Sequence, residues 1–170
     1  IGKLKLEDRV EEVDLTEWIE MVDKIKDRDY KVKIGIVGKY VELPDAYISI
    51  AESFTHAGIA NNCEVEIEYV YAEELCSLAQ AEAELSGLDG ILVPGGFGDR
   101  GIEGKLKAVE YARRNKVPYF GICLGMQCAV IEYARHQLQL ENANSTEFDE
   151  EEKEPVIALM PDQHDVEDMG

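Results

Sequence analysis

The sequence is poor in positive charge, in histidine and in long apolar runs. Its 170 residues carry 36 Asp and Glu against 17 Lys and Arg, and the formal net charge is −19. Such an acidic surface argues against nucleic acid as a partner, because a phosphate backbone selects positive proteins. No apolar run approaches the roughly 18 residues that a membrane-spanning helix requires. We therefore expect neither nucleic acid nor a membrane as a partner.

Cysteine is scarce and forms no recognisable pattern. The four cysteines, Cys63, Cys76, Cys123 and Cys128, include no Cys-x-x-Cys pair, so neither a zinc site nor a disulfide framework is predicted. We expect no metal, and such thiols fit a reducing cytoplasm best. The glycine-lysine motif of phosphate-binding loops is also missing, so this chain is expected to hold no ATP through such a loop.

Apolar residues recur with strand-like and helix-like spacing in alternating segments. Strands are predicted at about 31–38, 64–71, 90–94, 117–122 and 155–160, and helices at about 45–59, 73–85, 102–115 and 124–139. This alternation predicts an α/β fold, a doubly wound and mostly parallel sheet with helices on both faces. We assign residues 31–170 to one such domain.

Residues 1–30 have the pattern of a segment that contains an amphipathic helix. Asp14 and Glu17 have the spacing of a capping box at a helix start. One face of the predicted helix is apolar and consists of Leu15, Trp18, Ile19, Val22 and Ile25. We expect this stripe to dock on its own domain or on a preceding one.

A cysteine stands where a predicted buried strand runs into a helix. Residues 119–127 read Tyr-Phe-Gly-Ile-Cys-Leu-Gly-Met-Gln, with glycines at 121 and 125 on either side of Cys123. The glycines permit a tight elbow, and the helix N-terminus favours a thiolate over a thiol. Cys123 is therefore a candidate nucleophile, although on this motif alone it is as readily a small buried residue.

A second glycine-rich motif follows the preceding predicted strand. Residues 91–98 read Ile-Leu-Val-Pro-Gly-Gly-Phe-Gly, and their backbone N–H groups could supply half of an oxyanion hole, with that of Leu124 as the other half. An ordinary flexible loop is the alternative. The two motifs support each other, because the carboxyl ends of neighbouring parallel strands lie side by side.

Together these strings resemble the class-I, triad-type glutamine amidotransferases, and specifically the amidotransferase domain of the CTP synthase family. The resemblance runs from about residue 32 to the end of the chain. It is carried by the two glycine motifs and by three flanking strings: Val-Gly-Lys-Tyr-Val-Glu-Leu-Pro-Asp-Ala-Tyr at 37–47, Arg-Gly-Ile-Glu-Gly at 100–104, and Glu-Asn-Ala-Asn-Ser-Thr-Glu-Phe at 141–148.

The resemblance implies a role for particular residues of this chain. Cys123 would attack the side-chain amide of glutamine, while backbone N–H groups of Gly96 and Leu124 hold the oxyanion. The implied glutamine-binding residues are Gly96, Leu124, Gly125, Met126, Gln127 and Glu147. Arg100, Gly101 and Glu103 resemble a loop at which the activator GTP acts. Lys39 and Tyr40, with the stretch from Leu43 to Tyr47, resemble a lid beside the glutamine site.

The family also implies what surrounds this domain. Residues 1–30 would be the tail of an interdomain linker. Glutamine-derived ammonia aminates UTP to CTP, in pyrimidine biosynthesis, on an amidoligase domain that binds ATP and Mg²⁺ and would precede residue 1. The amidotransferase domain has no cofactor, GTP is an allosteric activator, and the complete enzyme is expected to be a cytoplasmic homotetramer.

One element of the family pattern is missing. The family's thiolate works with a histidine that is followed two residues later by a glutamate, and none of His56, His136 and His164 is followed in this way. We therefore expect a fragment, truncated at both ends, that is inactive alone. Residues 31–170 would be the N-terminal part of the amidotransferase domain. Two alternatives stay open: another class-I glutamine amidotransferase, or a non-catalytic glutamine-binding module of the same fold.

Overall fold

The computed structural model describes residues 14–26, 28–148 and 155–158, together with Lys3 and Met160. The described helices and strands are α1 (Thr16–Lys26), β1 (Tyr30–Gly38), α2 (Ile48–Ala60), β2 (Cys63–Tyr71), α3 (Leu78–Leu85), β3 (Gly90–Val93), α4 (Ile102–Asn115), β4 (Tyr119–Gly121), α5 (Leu124–Gln137), β5 (Asn144–Ser145) and β6 (Pro155–Ile157). Short 3-10 helices, Pro44–Tyr47 and Ala72–Glu74, precede α2 and follow β2. None of the described helices has the length and apolar character that a membrane span requires.

Strands β1 to β4 form one parallel sheet in the order β2-β1-β3-β4. Strand β3 is buried along its whole length, as expected for the interior of a parallel sheet. The chain crosses from β2 back over β1 to β3, so the direction of winding reverses between β1 and β3. Open parallel sheets bind ligands in the crevice outside the carboxyl ends of the strands at such a point.

Helices cover both faces of this sheet. On one face, Val37, Val70 and Ile91 pack with residues of α3 and α4. On the other, Ile36 and Leu92 pack against Tyr47 and α2. The predicted doubly wound α/β fold is confirmed.

Helices α4 and α5 pack through an apolar seam bordered by a buried ion pair. The Glu132 side chain is 1% exposed, and Arg113 Nε lies 3.1 and 3.0 Å from its two carboxylate oxygens. Arg113 Nη2 adds a third hydrogen bond of 2.6 Å. This fork geometry compensates the buried charge of Glu132.

A second buried carboxylate on α4, that of Glu110, is surrounded by cations. Lys107 Nζ and Arg114 Nη2 lie 2.9 and 2.6 Å from its oxygens, and His136 Nε2 lies at 3.9 Å. Burial alone would raise the pKa of Glu110. The Lys107 hydrogen bond and the neighbouring positive charges outweigh burial and hold that pKa below its usual range.

Several predicted boundaries are wrong for local reasons. The predicted helix 73–85 is a 3-10 turn followed by α3, because Ser77 adopts an extended conformation and caps α3 by accepting the Gln80 N–H. The predicted strand 117–122 is paired only over β4. The strand predicted at 155–160 is β6, which pairs with β5 in a separate small sheet; its Leu159 lies outside the described residues.

The predicted amphipathic helix is present as α1. Asp14 accepts the Thr16 N–H at 2.9 Å and so caps its start. The apolar stripe is exposed in the described structure, with Trp18 at 64%. The linker assignment of residues 1–30 remains a prediction, and residues 4–13 lie outside the described residues.

Candidate active site

Cys123 occupies a sharp turn between β4 and α5 at the carboxyl edge of the sheet. Its backbone has φ 49° and ψ −105°, a strained conformation for a residue with a side chain. Its side chain is exposed, and its carbonyl accepts the Gln127 N–H at 3.1 Å as the helix begins. A strained strand-to-helix elbow of this kind holds a nucleophile out of the sheet and toward a substrate.

Two glycines make this elbow possible because backbones touch where side chains would stand. A Cβ on Gly121 would collide with the backbone of Gly125 and Met126. A Cβ on Gly125 would collide with the carbonyl oxygen of Val93 at the end of β3. The first turn of α5 is thus held in direct backbone contact with both β3 and β4.

The glycine-rich loop after β3 lies directly beside the elbow. A Cβ built on Gly95 would be 3.4 Å from Cβ of Cys123, and one on Gly96 would be 3.7 Å from the Leu124 side chain. Leu124 is the first residue of α5, so its N–H has no acceptor within the helix. The structure therefore brings Cys123, Leu124 and Gly96 together, and their catalytic roles remain predictions.

A network of cations joins the loops after β1 and β3. Lys39 Nζ donates a short hydrogen bond to the Phe97 carbonyl oxygen. Arg100 donates to the Lys39 carbonyl at 3.4 Å and pairs with Glu73 at 3.2 Å. Both cations lie over the Tyr40 ring, at 5.1 and 5.6 Å from its centre. The start of the predicted lid is thereby tied to the glycine loop.

The Tyr47 hydroxyl anchors the end of β1 and was missed by sequence reasoning. It accepts the N–H groups of Lys39 and Tyr40, each at 3.2 Å. It lies so close to Gly38 that no Cβ fits there. A tyrosine in the predicted lid carries no signal for this contact, because the partner atoms are backbone.

The other predicted residues are spread around this centre. Gln127 lies in the first turn of α5, and its Oε1 is buried without a hydrogen-bond partner in the described part of the chain. Met126 is exposed on the same turn. Glu147 follows β5, with its N–H 3.2 Å from Ser145 Oγ. No hydrogen bond or ion pair joins Glu147 to the elbow within the described residues.

The side chains of the predicted activator loop contact two different elements of the structure. Arg100 pairs with Glu73, whereas Glu103 is 74% exposed and lies 3.2 Å from Arg135 of α5. Gly101 has φ 76° and lies at the N-cap of α4, a conformation that favours glycine. The three positions are close in sequence, but the Arg100 and Glu103 side chains pair with different partners.

The histidines of the described structure lie in helices, as predicted. His56 lies on α2 and is exposed. His136 lies on α5, where its Nδ1 is 3.1 Å from a Glu132 oxygen. His164 lies outside the described residues. Within the described part of the chain no group of three or more His, Cys, Asp or Glu is arranged to hold a metal.

Comparison with known proteins gives a consistent picture. The family model "Glutamine amidotransferase class-I" matches residues 42–167. CTP synthase of Clostridium acetobutylicum is 58% identical over 166 residues, which cover 98% of this chain and 31% of that protein. CTP synthase of Bacillus pumilus is 55% identical over 160 residues, 94% of this chain and 30% of that protein.

A solved structure agrees with these sequence matches. The structure described as "Trypanosoma brucei CTPS - glutaminase domain with bound acivicin" superposes with a TM-score of 0.72 at 45% identity. The superposition covers 78% of this chain and 51% of that one. The chain thus spans about a third of the curated relatives' length. It belongs to the class-I glutamine amidotransferase family, in which it corresponds to the amidotransferase domain of CTP synthases.

Proposed function

We propose that this chain carries the nucleophile and the oxyanion donors of a glutaminase that supplies ammonia for the amination of UTP to CTP. The observation that carries the proposal is the strained Cys123 elbow beside the Gly95–Gly96 backbone. A thiol needs no such conformation to fill space. Strain at a single exposed cysteine is typical of a site where geometry serves chemistry.

The proposed reaction has two stages at one carbon atom. Cys123 Sγ attacks the carboxamide carbon of glutamine, and the resulting oxyanion accepts the N–H groups of Leu124 and Gly96. Collapse breaks the C–N bond, the nitrogen takes up a proton and leaves as ammonia, and a thioester remains. Water then attacks the thioester and releases glutamate and the thiol.

Recognition of glutamine rests on two acceptors. A buried oxygen without a donor is costly, so the orphaned Gln127 Oε1 is well suited to accept an N–H of the substrate. The Glu147 carboxylate is proposed to pair with the α-ammonium group.

The general base is proposed to come from outside the residues at the elbow. His136 is engaged with Glu132, and His56 is exposed on α2; no hydrogen bond joins either histidine to Cys123 within the described residues. Cys123 would therefore react once with an electrophile but would not turn over. In the complete enzyme the ammonia would pass to an amidoligase domain holding UTP, ATP and Mg²⁺.

Regulation and assembly follow the family in this proposal. Arg100, Gly101 and Glu103 would respond to GTP, and the link from Arg100 through Tyr40 to Lys39 would carry that response to the glycine loop. The complete enzyme would act as a homotetramer in the reducing cytoplasm.

The test is covalent labelling by 6-diazo-5-oxo-L-norleucine, an electrophilic glutamine analogue, followed by intact mass and peptide mapping. We expect one adduct, on Cys123, and none in Cys123→Ser. Cys76 is the internal control, because it is also exposed but has no elbow. Labelling of Cys76 at the rate of Cys123, or no adduct while iodoacetamide still modifies Cys123, would overturn the glutamine site. Glutamine turnover by the chain alone would overturn the proposal about the base.

A further inference from the structure

One tyrosine spans the elbow without contacting the nucleophile. Tyr119 is the first residue of β4, and its hydroxyl donates to the Gly125 carbonyl oxygen at 2.7 Å. The donor lies four residues before Cys123 in the sequence, and the acceptor lies two residues after it. The hydrogen bond therefore links the strand that enters the turn to the helix that leaves it.

The tyrosine ring is held firmly enough to act as a fixed support. It packs against two buried clusters, the one beneath α3 and α4 and the one between α4 and α5. Burial raises the pKa of the Tyr119 hydroxyl far above its usual value, with a further contribution from Cys128. The phenol is therefore a protonated donor at neutral pH.

The elbow needs such a support because its own residues offer little. Cys123 is strained, and a strained residue relaxes unless its surroundings hold it. Gly121 and Gly125 bring backbones together but contribute no side chain that could clamp them. The Tyr119 hydroxyl is a polar contact from a side chain across this junction.

We propose that Tyr119 is a positioning residue for the nucleophile, which keeps the first turn of α5 closed on β4 so that Cys123 and the Leu124 N–H face the substrate together. The inference rests on the proposed glutaminase function. Tyr119 is proposed to raise the fraction of molecules in which the elbow has the reactive conformation, and not the affinity for glutamine.

Loss of the hydroxyl should leave the fold intact. In Tyr119→Phe the ring still fills its place between the clusters. The Gly125 carbonyl also keeps a partner, because helix geometry directs the Ala129 N–H toward it. The variant thus removes the bridge across the elbow without leaving a buried acceptor unpaired.

The experiment compares the chain with Tyr119→Phe and with the control Tyr111→Phe. Tyr111 is a buried tyrosine of α4 whose hydroxyl makes no hydrogen bond within the described residues. The rate of Cys123 labelling by 6-diazo-5-oxo-L-norleucine is measured against reagent concentration to separate the maximal rate from the half-saturating concentration. Iodoacetamide labelling and thermal unfolding are measured in parallel.

We expect the maximal rate of Tyr119→Phe to fall about three- to tenfold, the equivalent of one net hydrogen bond. The half-saturating concentration should stay unchanged, iodoacetamide labelling should fall less, and Tyr111→Phe should match the parent chain. An unchanged maximal rate would overturn the inference. So would unfolding of Tyr119→Phe, or an equal loss with both reagents, since the hydroxyl would then be merely structural. If the parent chain itself is not labelled, the proposed glutamine site is refuted. That outcome differs from refutation of the Tyr119 inference, in which the parent chain is labelled and Tyr119→Phe is labelled at the same maximal rate.

Discussion

Replacement of Gly121 by alanine should disable the elbow while most of the fold survives. The added Cβ would stand 2.5 Å from Gly125 O and from Met126 N, and closer still to the Gly125 carbonyl carbon. All three are backbone atoms, so no change of rotamer relieves the overlap. Gly125 cannot retreat either, because it already lies against the Val93 carbonyl oxygen.

The size of the effect follows from this overlap. Ordinary contacts of a Cβ begin at 3.4 Å and the nearest backbone atom would be at 2.4 Å, so the backbones must separate by about 1.0 Å. Overpacking of this kind costs about 1–3 kcal/mol of unfolding free energy. A reacting atom displaced by about 1 Å loses on the order of 100-fold in rate. We therefore expect a modest loss of stability and a loss of about 100-fold in Cys123 labelling by the glutamine analogue.

The control is the same substitution at Gly87, in the turn between α3 and β3. That residue has φ 84°, and a Cβ there would meet no atom within 4 Å. Strain at positive φ should cost Gly87→Ala about 1–2 kcal/mol with no change in labelling rate. Urea unfolding gives the stabilities, and mass spectrometry gives the rates. Parent-like labelling by a folded Gly121→Ala would refute the claim that backbone contact sets the elbow.

Three further predictions concern buried charges and thiols. Arg113→Ala leaves the Glu132 carboxylate buried without its fork and should cost about 3–5 kcal/mol in urea unfolding, whereas replacing both residues with apolar ones of similar size should be close to neutral. The pKa of Glu110 is depressed in the folded state, so this carboxylate stabilises the protein above its ordinary pKa of 4.5. That stabilisation is lost as the pH falls through the folded pKa. Unfolding midpoints measured between pH 7 and pH 3 should therefore decline less steeply for Glu110→Gln than for the parent chain. Burial raises the pKa of the Cys128 thiol to about 11, so iodoacetamide at pH 8 should modify Cys123 and spare Cys128 until the protein is unfolded, as peptide mapping would show.

Regular patterns in the sequence were sufficient to predict the main sheet. The strand at 90–93 is an apolar run because it is buried on both faces of the sheet. The strand at 63–71 alternates because it is more buried on one face than on the other, and both patterns are visible in the sequence. The pairing of β5 with β6 could not be predicted, because a strand of two residues has no period. The break before α3 depends on the cap at Ser77. It could not be predicted, because the apolar residues of 73–85 keep helical spacing across the break.

In the candidate site, too, some residues could be predicted from the sequence and others could not. Cys123 and its two glycines were visible because a tight turn restricts which residues can form it. The hydroxyl contacts of Tyr47 and Tyr119 were not, since each joins a side chain to a distant backbone atom. The buried acid Glu132 also escaped notice, because an acidic chain offers no way to tell a paired interior carboxylate from a solvated one.

The proposed nucleophile and the proposed oxyanion donors can be assembled without a base because backbone contacts and the Tyr119 hydroxyl, all local to the elbow, hold them in place. Cys123, Leu124 and the glycine loop are held by β3, β4 and the first turn of α5, which meet within the described residues. A general base is instead a side chain that another element must bring within hydrogen-bond reach of the thiol. Capture of an electrophilic analogue and repeated release of ammonia should therefore be separable. Damage to the elbow would abolish both, whereas a missing base would abolish only the second.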